Sequence, residues 1–314
     1  MNPPSASLNV LRRIAMLCAL LVLLIAGVSA FLRLSKAGLG CEPWPSCFGE
    51  ALRALQRGAA VDDNAVQTVA LARLAHRLLA STALVLALLL ALGHCTAKPL
   101  HKGRAALALG LVATALFLAG LGLLTANSRL PAVALGNLLG GFAMLAVSWR
   151  LAAPERPSDA APRAAALWAL VACGLVVIQV ALGGLVSASH ASLSCADSLD
   201  CLRQAARQGW PWPTLNPWRE PAYDVASALP INPAGALAQA LHRVGAIVAS
   251  LAVLVVAWLL HRQAERRAAA TLVLLLSLQL AAGLWLVSGG VPLAGALLHN
   301  LLAALMVAAL ARSI

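Results

Sequence analysis

The strongest constraint on this chain is a set of eight apolar stretches, each long enough to cross a lipid bilayer. A hydrocarbon core is about 30 Å thick and takes roughly 20 helical residues to span. Runs of that kind lie near residues 11–31, 69–93, 105–125, 131–150, 164–186, 236–260, 268–287 and 293–311. They are continuous and rich in Leu and Ala, without the alternation of a barrel strand, so helices are the way to satisfy their backbone polar groups in lipid. Composition agrees: 61% of the 314 residues are hydrophobic, 11% are charged, and mean hydropathy is +0.86. No ordinary water-soluble domain reads this way. The expected class is an all-α membrane protein with eight transmembrane helices.

The net charge of +12 does not mark a nucleic-acid binder, because the basic residues are scattered over short loops and sort by side. With the N-terminus inside, the chain ends and the three short inner loops hold twelve Lys and Arg, among them Arg12, Arg13, Lys102 and Arg266. The opposite side holds eight, spread over two longer loops with most of the acids. That asymmetry predicts both termini in the cytoplasm. Arg12, Arg13 and Val28-Ser29-Ala30 imitate a signal peptide around the first span. The apolar run is long for such a segment, and the first span is expected to be retained.

A linker at 151–163, with Pro154, Pro157 and Pro162, separates residues 1–150 from 164–314. Sliding the chain by 154 positions superposes Ser35 on Ser189, Ala37 on Ala191, Leu39 on Leu193, Cys41 on Cys195 and Cys47 on Cys201. This is an internal repeat. Span six answers to span two, span eight answers to span four, and both halves begin on the same side of the membrane. Two tandem, pseudo-symmetric four-helix bundles are therefore expected. Cys41 with Cys47, and Cys195 with Cys201, sit six apart on the oxidising side, where each pair suits a disulfide or stands as two free thiols.

Few polar side chains interrupt the spans, and an ionisable group in the membrane is costly enough to suggest function. His76 and Arg77 stand on span two, Asn137 on span four, His242 and Arg243 on span six, and His299 on span eight. His76, Asn137, His242 and His299 each lie about six or seven residues from the outer end, or roughly 10 Å deep. They share one layer. Imidazoles from facing helices of a bundle can hold a haem iron axially, and His242 with His299 supplies such a pair. Arg77 and Arg243 point about 100° around the helix from their histidines, placed to meet haem propionates or to snorkel to the interface. In the first half His76 has Asn137 as its counterpart, and an amide is a poor iron ligand.

These residues resemble the haem A synthase family of COX15/CtaA-type membrane proteins. The likeness rests on Arg33-Leu34-Ser35 leading into Gly38-Leu39 and Trp44-Pro45-Ser46-Cys47, followed by His-Arg on spans two and six, and it covers nearly the whole chain. It implies an oxidoreductase of a bacterial inner membrane that converts a methyl group of haem O to a formyl group, giving haem A for cytochrome oxidase. It further implies haem b on His242 and His299, haem O as substrate on the His76 side, and a disulfide position at Cys41 and Cys47. Haem O synthase, an unidentified electron donor and a second copy of the chain are the partners it suggests, beside the lipid bilayer; nucleic acid is not expected. Two positions depart from the family. Arg73 stands where a glutamate usually precedes the first His by one turn, where a carboxylate can move protons, and Asn137 replaces the helix-four His. Arg73, His76 and Asn137 are thus the candidate catalytic positions. The competing reading is a related membrane haem protein, such as a carrier, assembly factor or electron-transfer cytochrome, that lacks the oxidation. A secondary transporter would favour inverted repeats and spans broken at the midplane, and the sequence has neither.

Overall fold

A computed structural model describes residues 6–36, 63–125, 128, 130–154, 163–220 and 232–314. Among these residues there is no strand. The helices are α1 (Ala6–Lys36), α2 (Asp63–Thr96), α3 (Lys102–Thr125), α4 (Pro131–Ala152), α5 (Arg163–Ala188), α6 (Ser198–Arg207), α7 (Ala236–Arg262), α8 (Arg266–Ser288) and α9 (Leu293–Ala311). All but the short α6 are long and apolar enough to cross a membrane, so the eight expected spans are all present. The first runs further than expected. Its apolar span reaches Ser35, which brings Arg33 out of the outer loop and into the helix. No Gly or Pro interrupts Ala30–Lys36, so nothing in the local sequence stops the helix earlier.

The helices make two rings. In the first, α1 and α3 each pack against both α2 and α4; in the second, α5 and α8 each pack against both α7 and α9. The rings meet where α9 touches α1 and α4, and where α4 touches α5. Exchanging the halves turns the α1–α9 contact into the α5–α4 contact. Within each ring α2 faces α4, and α7 faces α9, across the middle. Those four helices carry His76, Asn137, His242 and His299.

Small residues allow this closeness. Ala15, Cys18, Ala83, Ala87, Ala108, Ala169, Ala172 and Ala304 are buried in one continuous core with Val22, Leu90, Leu111, Val256 and Leu310. Lipid is as apolar as leucine, so helices in a bilayer associate through close contact and a few polar bonds rather than through burial from water. Leu78, Leu92, Phe117 and Leu123 accordingly remain exposed, on the faces that lipid would cover. One of the polar bonds ties three helices of the first ring. The Cys18 thiol donates to the Ala83 carbonyl at 4.0 Å and accepts from the Ser148 hydroxyl at 3.5 Å.

At the inner end, Arg104 of α3 closes the C-terminus of α4. Its guanidinium donates to the Leu151 carbonyl at 3.1 Å and the Ala153 carbonyl at 2.8 Å. These lie among the last carbonyls of a helix, which have no partner within it and carry partial negative charge. Only a forked cation reaches both at once. Replacing Arg104 by Ala removes two charge-assisted bonds from a buried site, at a cost of about 2–4 kcal/mol. The thermal midpoint of the detergent-purified protein should fall by several degrees, and an unchanged midpoint would show that the cap contributes nothing.

Candidate functional site

The second ring brings its two histidines together. The imidazole centres of His242 and His299 are 6.4 Å apart and their planes meet at 75°. A metal–imidazole bond of roughly 2 Å, plus about 1 Å from nitrogen to ring centre on each side, separates two axial imidazoles by about 6 Å between centres. The observed spacing fits two rings on opposite sides of one ion.

The hydrogen bonds around the pair set its chemistry. Nδ1 of His242 lies 3.1 Å from the main-chain carbonyl of Gln179 on α5. A carbonyl can only accept, so Nδ1 carries the proton and Nε2 keeps its lone pair, the usual way a fold prepares a ligating histidine. Nε2 of His299 lies 3.1 Å from the side-chain amide of Gln279 on α8. The other nitrogen of that ring, Nδ1, is buried without a partner, as are Oε1 of Gln279 and Oε1 of Gln179. Turning the Gln279 amide over lets its Oε1 accept from Nε2–H, which leaves Nδ1 as a buried lone pair. A buried nitrogen in that state is one a metal satisfies.

Two glycines make room. A Cβ on Gly183 would come within 2.9 Å of Cε1 of His242, closer than real Cβ contacts allow. A Cβ on Gly245, one turn below His242, would collide with the amide of Gln179. Both neighbours must therefore sit where they do only because these positions lack side chains.

A short cover closes the outer end of this ring. Gln239, one turn before His242 on α7, donates to the carbonyls of Ala191 and Ser192 at 3.2 and 3.0 Å. Asn232 donates to the Ser189 carbonyl at 3.0 Å and accepts from the Ser194 hydroxyl through its own carbonyl. The cover continues into α6, whose first turn is capped reciprocally: Asp197 accepts from the Asp200 amide at 2.8 Å, and Asp200 accepts from the Ala196 amide at 2.9 Å. Cys195 and Cys201 are joined in a disulfide across this turn, with Cα atoms 5.0 Å apart. Asp197 also interacts electrostatically with Arg243. His190 turns the chain at the start of the cover with φ 55°, and burial pushes its pKa below the usual histidine value.

The first ring repeats the register without the pair. His76 lies nine residues past the start of its span at Gln67, as His242 lies nine past Pro233; Asn137 lies six past Pro131, as His299 lies six past Leu293. His76 is half-buried. Asn137 donates to the Val133 carbonyl of its own helix at 3.2 Å. Arg73 and Arg77 are exposed. Arg73 stands three residues before His76, as Gln239 stands three before His242, so the register that holds the cover in one half is arginine in the other. Cys41 and Cys47 lie outside the described residues.

Three polar groups at the second site were not singled out in the sequence: Gln179, Gln279 and Gln239. Each is a lone amide in an apolar span, the same signal that exposed the histidines. A fourth, Arg33, had been assigned to the outer loop.

Comparison with known proteins agrees on one family. The profile described as cytochrome oxidase assembly protein, COX15-CtaA, matches residues 12–311. The Heme A synthase of Shewanella oneidensis is 30% identical over 317 aligned positions, covering 94% of this chain and 92% of the relative.

The cover yields a direct test. Gln239→Leu removes both bonds from α7 to residues 191 and 192, a loss of about 1–3 kcal/mol. Trypsin cleavage after Arg203 and Arg207 should accelerate several-fold in the purified variant; cleavage at the parental rate would mean that Gln239 does not hold the cover.

Proposed function

The chain belongs to the cytochrome oxidase assembly protein family COX15-CtaA, and from that premise we propose that it acts as a haem A synthase, an oxidoreductase that takes the methyl group of haem O to a formyl group. The observation that carries this reading is the imidazole pair of the second ring, 6.4 Å between centres, with a basic nitrogen prepared on His242 and an orphaned one on His299.

On this reading His242 and His299 would hold a resident haem b. When bound, that haem supplies one-electron transfer in a site shielded from water. Gln179 fixes the tautomer of His242, Gln279 orients His299, and Gly183 with Gly245 keeps the space beside His242 clear. Arg243, next to His242 in sequence, would supply positive charge for a propionate. The first ring receives haem O as substrate, with His76 on one side. Arg77 answers to Arg243 there. The apolar walls of both rings suit a porphyrin and exclude water from the oxidised carbon.

The disulfide of Cys195 and Cys201 belongs to this proposal as a brace for the cover, and the cysteine pair of the first half is read in the same way. The division into a substrate half at 1–150 and a haem b half at 164–314, both termini in the cytoplasm, and residence in a bacterial inner membrane complete the reading. An electron donor, haem O synthase and a second copy of the chain are the partners it calls for.

A specific observation favours a second reading. Asn137 spends an amide N–H on its own helix, and Arg73 is a cation where proton transfer would use a carboxylate. A protein with this first ring can retain haem b and lack the oxidation, serving instead as an electron-transfer or assembly protein.

Pigment extraction from cells co-expressing the chain with a source of haem O separates the two. Haem A is expected; haem B alone would favour the second reading, and a colourless protein would end both. His242→Ala and His299→Ala should each lower bound haem at least tenfold while the chain still accumulates in the membrane. Combining Asn137→His with Arg73→Glu should raise the yield of haem A several-fold, and an unchanged yield would show that these positions do not limit the reaction.

A further inference from the structure

Arg33 is the most unusual charge in the described residues. It lies inside the apolar span of α1, and its Nη2 donates to Oδ1 of Asn300 at 3.0 Å. That bond joins residues 267 positions apart, from the first ring to the second, and Asn300 is the neighbour of His299 on α9. The reach is geometric: side chains on a helix lean toward its N-terminus. α1 runs outward, so the guanidinium leans inward, down to the layer of the histidines. Its Nε and the Nδ2 of Asn300 are buried with no partner. A half-buried guanidinium within an apolar span is expensive when it has few partners, and a fold that keeps one is using its charge or its fork.

The arrangement is one-sided. Under the repeat offset of 154, Arg33 answers to Ser187, and by the offset of His299 onto Asn137, Asn300 answers to Leu138. The equivalent positions on α5 and α4 are therefore a serine and a leucine, and the Ser187 hydroxyl is buried without a partner. The only cationic link of this type among the described residues runs from the first ring to the iron-site helix of the second.

We propose that Arg33 is a positioning residue for the His242–His299 site: through Asn300 it holds the turn that carries His299, and it sets one fixed positive charge against that turn. The inference rests on the reading of that pair as a haem site. A ferric haem centre carries one more positive charge than a ferrous one, so a buried cation nearby disfavours the oxidised form and raises the midpoint potential. Gln at this position can still donate to Asn300 but has no charge; Lys keeps the charge.

The test is redox potentiometry on the purified, haem-loaded full chain, with haem content measured in parallel. Arg33→Gln should retain haem and shift the midpoint to lower potential, while Arg33→Lys should stay near the parental value. A potential indifferent to Arg33→Gln overturns the inference, as does an Arg33→Lys shift equal to that of Gln. If Arg33→Gln does not accumulate, Asn300→Leu decides: loss of the anchor should alter the low-spin electron paramagnetic resonance signature of the two-imidazole iron, and a parental signature overturns the proposal. A parental protein without any haem spectrum would overturn the proposed function itself, and this inference with it. Those two failures are distinct.

Discussion

Every polar group in this protein answers to the absence of water. In a hydrocarbon layer a backbone amide or a side-chain nitrogen has no solvent partner, and leaving one unmatched costs several kcal/mol. Helices dispose of the backbone. What remains is a short set of side chains that the membrane would otherwise have excluded: Gln179, Gln239, His242, Gln279, His299 and Asn300 in the second ring, met by Arg33 from the first. Gln179 and Gln279 meet the two histidines, Asn300 meets Arg33, and several of these atoms are left with nothing to bind. On the function proposed above, those unmatched atoms and the 6.4 Å spacing of the imidazoles are what a metal between them would use.

Much of this was legible from the residues alone. Apolar length fixed the number of spans, because a bilayer imposes a single dimension on every helix that crosses it. The His-Arg repeats and the shared depth of His242 and His299 pointed to a common layer, and the structure brings the two rings of that pair together. The cysteine spacing marked the outer turn where Cys195 and Cys201 are now joined. The end of α1 was harder. Hydropathy treats an arginine as a boundary, whereas the helix continues through Arg33 because a partner 267 positions away receives it. Contacts of that range have no local signature. The glutamines were overlooked for a related reason: an amide in a span resembles a tolerated blemish until a histidine nitrogen is found 3.1 Å away. Helix α6 also escaped notice, since ten residues of mixed polarity in a loop announce themselves only through the caps at Asp197 and Asp200.

The two rings are also sewn together at the end nearer the histidines. Besides the Arg33 bond, the amide of Ala132, at the unsatisfied start of α4, donates to the carbonyl of Pro217 at 2.8 Å. The second outer loop thus finishes a helix of the first ring, the one that bears Asn137, while the first ring's α1 braces the helix that bears His299. Each half completes a helix that the other half needs, so the histidine layer is a property of the whole chain. These crossing bonds tie the two rings to each other near the histidine layer.

The unequal interfaces carry an evolutionary corollary. Two identical subunits related by a dyad must present the same residues on both sides of their contact, so an arginine written once would appear twice, and so would its cost in lipid. Joining the copies into one polypeptide releases that obligation. Serine and leucine can then stand at one seam and arginine with asparagine at the other, which leaves each seam free to take its own chemistry.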